Sequence, residues 1–134
     1  MKTATVAAWA VVLVGILLLS LAPITPQDLP EGVVRSGFRM GHAPAYGLLA
    51  VLTLQVVRFA GWSKGLTQSV PISAAAVILL GGAIELLQPY FGRSASLHDF
   101  VLNTIGVTVA LVLLVGIRGW MAGRRTASQL PTSD

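Results

Sequence analysis

The chain has 134 residues, of which 54% are hydrophobic and 10% charged, with no cysteine and a formal charge of +4. This is too little polar surface for a soluble domain of this size, and it removes disulfide, iron–sulfur and thiolate chemistry. The nine Lys and Arg are scattered at the ends of long apolar blocks, with no basic helix or aromatic-interleaved patch. That distribution suits lipid headgroups and argues against nucleic acid as a partner.

The first block, Ala4 to Ala22, runs 19 residues without a charge, enough to cross a hydrocarbon core roughly 30 Å thick. A cleaved secretory signal peptide is the competing reading, because Ser20-Leu21-Ala22 resembles a small-residue cleavage site. Pro23 directly after it and the length of the apolar run favour a retained span. Residues 23–41 hold three prolines, two acids and two arginines and read as a loop, with a short interfacial helix from Leu29 to Phe38. A second span is expected from about His42 to Ala60, with Pro44 in its first turn, where a missing N–H costs nothing. Arg58, Trp62 and Lys64 mark its far end, and Gly61 and Gly65 let the chain turn. A third span from about Val70 to Tyr90 and a fourth from about Leu97 to Ile117 follow, the last closed by Arg118, Trp120, Arg124 and Arg125.

The expected fold is an all-α membrane protein with four transmembrane helices in an antiparallel bundle. It forms a single domain over 1–125, with spans at about 4–22, 42–60, 70–90 and 97–117, and a polar tail at 126–134. Four spans put Lys2, Arg58, Lys64, Arg118, Arg124 and Arg125 on one side against Arg35, Arg39 and Arg93 on the other. The excess predicts that both termini are cytoplasmic. The expected location is the cytoplasmic (inner) membrane, crossed several times, and the lipid bilayer is the first partner.

Ionisable groups inside such spans are costly and usually face a bundle interior or a water-filled cavity. The stretch Glu85 to Gly106 sets Glu85, Gln88, Arg93, His98, Asp99 and Asn103 at the facing ends of spans three and four. Helical spacing places Gly81, Glu85 and Gln88 on one stripe and Asp99, Asn103 and Gly106 on a second, while His42 and Tyr46 begin a third. Glycines 81, 82 and 106 allow close approach, so the three stripes are expected to enclose a small polar pocket at the outer face.

Each residue also has a purely structural role to weigh. Glu85 can be neutralised by Arg93 or Arg39. Asp99 can be the third-position acid of a helix capped by Ser96, and Gln88 and Asn103 can be interhelical hydrogen-bond glue. Arg93 can anchor to lipid phosphate or grip a ligand with its planar fork. His42 and His98 lack paired metal-ligand spacing, so neither metal nor cofactor is expected.

The runs E-L-L-Q and G-R-S-A-S-L-H-D-F-V-L-N-T-I-G, with R-M-G-H-A-P-A-Y ahead of them, resemble the VanZ-like family of small bacterial membrane proteins over about Arg39 to Leu114. By that resemblance His42, Tyr46, Glu85, Gln88, Arg93, Ser94, Asp99, Asn103 and Gly106 match the family pattern. Arg39 stands where the family has Lys, and Phe38 replaces its Asp. The family takes its name from a glycopeptide-resistance accessory protein; the resemblance does not imply that role here.

Two functions from different classes follow. One is an envelope-associated binding or accessory protein whose outward pocket takes an anionic lipid headgroup or cell-wall precursor, using Arg39, His42, Tyr46, Glu85, Gln88, Arg93, Ser94, Asp99 and Asn103. The other is an outer-leaflet enzyme with Glu85 or Asp99 as general base and His42 as acid–base partner. A purely structural cluster is the third alternative. The nucleophile elbow, zinc helix and phosphate-binding glycine loop are all missing from the sequence; binding asks less of these residues than catalysis does and ranks first.

Overall fold

Long runs without charge leave the backbone no solvent to bond to, and helices satisfy it within the segment. The computed structural model describes residues 2–22 and 33–127, without the side chains of 33–40, 126 and 127. Every regular element among these residues is helical: α1 (Lys2–Leu21), α2 (Val33–Phe59), α3 (Leu66–Leu87), a 3-10 turn (Gln88–Phe91) and α4 (Leu97–Ala127). The hydroxyls inside them follow the same logic. Thr53, Ser69, Ser73, Thr104 and Thr108 each donate to the carbonyl four residues earlier at 2.8–2.9 Å, so none of these five donors is left facing an apolar neighbour.

Among the described residues, three helices are long and apolar enough to cross a membrane, Lys2–Leu21, Leu66–Phe91 and Leu97–Arg125. A lipid bilayer is the environment they fit. α2 is not among them, and its place in the fold shows why it carries more polar residues. It contacts all three other helices and buries Tyr46, Leu49, Ala50, Leu54 and Val57, so much of its surface is covered by the rest of the chain.

Successive helices alternate in direction. Trp9 Nε1 donates to Thr53 Oγ1 at 3.0 Å and the Lys2 ammonium lies 5.9 Å from the Phe59 ring, which sets α1 antiparallel to α2. Ala43 and Gly47 of α2 lie against Gly106 and Ala110 of α4 in the same order, so these two helices run parallel. Their backbones touch. A Cβ on Gly106 would fall on the Ala43 backbone, 2.7 Å from its Cα and overlapping its carbonyl oxygen, and one on Gly47 would lie 2.9 Å from the Gly106 oxygen. Small residues spaced four apart on both helices make this approach feasible.

Two boundaries differ from the sequence expectation. The second helix starts at Val33, not near His42, so 33–41 is helix where a loop was expected, and Pro44 lies in the helix interior. Its ring removes one backbone bond, and the helix continues through that position. Of the short helix expected over Leu29 to Phe38, residues 29–32 lie outside the described residues and the rest belongs to α2. The last helix continues past Ile117 to Ala127, about 46 Å at 1.5 Å per residue. Arg118, Arg124 and Arg125 thus sit on helix, with the Arg124 guanidinium 4.1 Å from the Trp120 ring. Of the expected tail, 128–134 lie outside the described residues.

Candidate functional site

The polar residues gather at the end of the bundle where α3 turns into α4. Pro89 sits early in the 3-10 turn that ends α3, and Gly92, with φ 75°, reverses the chain. The Ser96 hydroxyl then caps α4 by accepting from the Asp99 N–H at 3.2 Å. In a complete capping box the residue at the Asp99 position would accept from the Ser96 N–H in return. Here Glu85 takes that bond, its Oε2 accepting from the Ser96 N–H at 2.9 Å.

Glu85 is 6% exposed and Gln88 2%. With its nitrogen facing the acceptors around it, the Gln88 amide donates to Glu85 Oε2 at 3.0 Å and to the Ser94 carbonyl at 3.2 Å. Asp99, His42 and Arg93 all lie within electrostatic reach of the Glu85 carboxylate. Glu85 therefore ties α3 to the first turn of α4 through hydrogen bonds. The Arg93 Nη1 donates to the Leu19 carbonyl at 2.9 Å, fastening the end of α1 to the same turn. The side chain of Arg39 lies outside the described residues.

On the other side of the cluster, His42 Nδ1 lies 3.2 Å from Asn103 Oδ1. The amide oxygen accepts, so Nδ1 is the donor. Asn103 is 1% exposed. The His42 and Tyr46 rings stack at 6.4 Å, and Tyr46 packs against Gly81, where a Cβ would come within 3.0 Å of the ring. Gly82 likewise accepts the edge of Phe100. Of the three glycines, only Gly106 brings two backbones together; the other two make room for rings. Asp99 Oδ1 and Asn103 Nδ2 are buried and have no hydrogen-bond partner among the described residues.

The structure thus joins Glu85, Gln88, the Ser94 backbone and Arg93 in the turn, and His42, Tyr46, Asn103 and Asp99 beside it. The Ser94 side chain and His98 are exposed. Among the described residues no three His, Cys, Asp or Glu side chains converge as a metal ion would need. α1 contributes what the sequence did not indicate. A cleft of about 200 Å³ between α1 and α2 is lined by Ile16, Leu19, Ser20, Gly41, His42, Ala45 and Tyr46. Ser20, read in the sequence only as part of a cleavage signature, is buried there beside Tyr46.

Fold and site together define an all-α protein with helices of membrane-spanning length and a buried polar cluster at one end. Neither a family model, nor a curated protein, nor a solved structure matches the chain.

Proposed function

We propose that the chain is a VanZ-like protein of the bacterial cytoplasmic membrane. In this reading it crosses the membrane four times with both termini inside, and binds an amphiphilic envelope component, a lipid or lipid-linked cell-wall precursor, at its outer end. One observation carries the binding reading: the cleft has apolar walls from Ile16, Leu19 and Ala45 and a polar side from Ser20, His42 and Tyr46. A molecule with a chain and a polar head matches both surfaces. The family assignment rests on the motif spacing around Glu85, Arg93, Asp99 and Asn103.

Filling the cleft tests the reading. Ala45→Trp should lower the lipid that copurifies in mild detergent by about tenfold relative to wild type, because an overpacked site costs about 1–3 kcal/mol. Val112→Trp, on the exposed face of α4, should leave it unchanged. Equal lipid content in all three proteins, measured by mass spectrometry, would rule out the cleft. Orientation is tested separately. Tyr90 and Trp62 are 85% and 72% exposed at opposite ends, so a membrane-impermeant thiol reagent on whole cells should label Tyr90→Cys and not Trp62→Cys. The reverse pattern would invert the topology.

An outer-leaflet enzyme is the second reading, favoured by the place of the His42 ring, which lines the cleft while Asn103 holds it through Nδ1. Glu85, engaged by Ser96 and Gln88, is poorly placed to be its base.

A further inference from the structure

The cap of α4 leaves a remainder. Because Glu85 occupies the Ser96 N–H, Asp99 Oδ1 is buried with no partner among the described residues, and one helical turn on the same holds for Asn103 Nδ2. Residues four apart on a helix share a face. One of these atoms is an acceptor and the other a donor. A cation would satisfy Asp99 and be repelled by the amide N–H. A phosphate would satisfy Asn103 and meet both the Asp99 and Glu85 carboxylates. A hydroxyl does both, donating to the carboxylate and accepting from the amide.

We propose that Asp99 and Asn103 form a hydroxyl site, filled by water or by the hydroxyl of a glycerol- or sugar-headed lipid. The lipid source deepens the function proposed above and rests on it; the water source does not. Gly81 adjoins the amide, since even a Cβ there would stand 3.6 Å from Nδ2, so Gly81 itself puts no side chain over that face. His42 connects the site to the cleft, lining the cleft with its ring and bonding Asn103 Oδ1 through Nδ1. Arg93 reaches toward Leu19, so the arginine of this turn is directed to α1. With the Asp99 and Glu85 carboxylates both set against a phosphate, the selected headgroup is neutral at the point of recognition, in contrast to the anionic group that the arginines of the sequence suggest.

The test exchanges donor and acceptor. Asn103→Asp keeps an oxygen for His42 and turns the donor into a second acceptor, so a hydroxyl loses one bond. The double variant D99N/N103D restores one donor and one acceptor in reversed order. Each protein is purified in an amine-oxide detergent, which has no hydroxyl, and two probes are added: dioctanoylglycerol, and dioctanoyl phosphatidic acid, which carries phosphate where the first has the hydroxyl. Native mass spectrometry should show wild type retaining dioctanoylglycerol over phosphatidic acid. Asn103→Asp should lose about tenfold in that retention, as one buried hydrogen bond commands, and the double variant should regain most of it.

Thermal midpoints without any probe report the water source. The same fall and rescue there, with neither probe retained by wild type, keeps the hydroxyl site with water as its occupant and defeats the lipid-binding function instead. Retention indifferent to the headgroup and to Asn103→Asp would leave the cleft in place and overturn the hydroxyl site. A double variant no better than the single in both measurements would also overturn it.

Discussion

Gly106→Ala is expected to cost about 3 kcal/mol or more, the upper range for forcing a methyl into a packed interior. The added carbon would overlap the backbone of Ala43, and backbone cannot rotate aside as a side chain does. Relief requires α2 and α4 to separate, which would also pull His42 from Asn103. Gly116→Ala is the control, since nothing lies within 4 Å of the position; it should be neutral or stabilise by up to about 1 kcal/mol through helix propensity. Thermal unfolding in detergent, followed by tryptophan fluorescence, measures both. Equal midpoints for the two variants would show that the helices do not meet at Gly106.

Glu85→Ala should be nearly as damaging. It strips the Ser96 N–H and one N–H of the buried Gln88 amide, which keeps its bond to the Ser94 carbonyl, of their shared acceptor, and two donors left unpaired at about 1–3 kcal/mol each would loosen the turn between α3 and α4. Glu85→Gln keeps shape and one oxygen for Ser96, so its loss should stay within about 1 kcal/mol. The comparison is a thermal melt of the three proteins. If Gln is as harmful as Ala, the negative charge matters more than the bond to Ser96, and a purely hydrogen-bonding role for Glu85 fails.

Much of this was legible in the sequence because it depends on apolar runs and on helical spacing. The runs marked α1, α3 and the start of α4, and the spacing brought Glu85 to Gln88 and Asp99 to Asn103. Ser96 was readable as a cap from the acid three residues on. The start of α2 was not legible. Residues 33–41 carry two arginines and two glycines, and Pro44 mimics a helix start, so nothing local marks Val33 as the beginning of the helix. Long-range partners were equally hidden: nothing local points Arg93 at Leu19, or shows that Glu85 supplies the bond Asp99 would otherwise make. Gly47 carried a weak signal, as a glycine four residues after Ala43 in the same way that Ala110 follows Gly106.

The central position of α2 has a consequence for how the chain is made. Ribosomes deliver helices in order, and α2 leaves the ribosome before α3 and α4, the two helices that cover Tyr46 with Gly81 and His42 with Asn103. Until both arrive, its polar stripe has only α1 for shelter, and α2 has weaker apolar character than the three other helices with which to enter lipid by itself. In the four-span topology proposed above, membrane entry of the second helix is thereby linked to completion of the fourth, and a chain truncated before Asn103 should leave α2 at the bilayer surface, open to surveillance proteases.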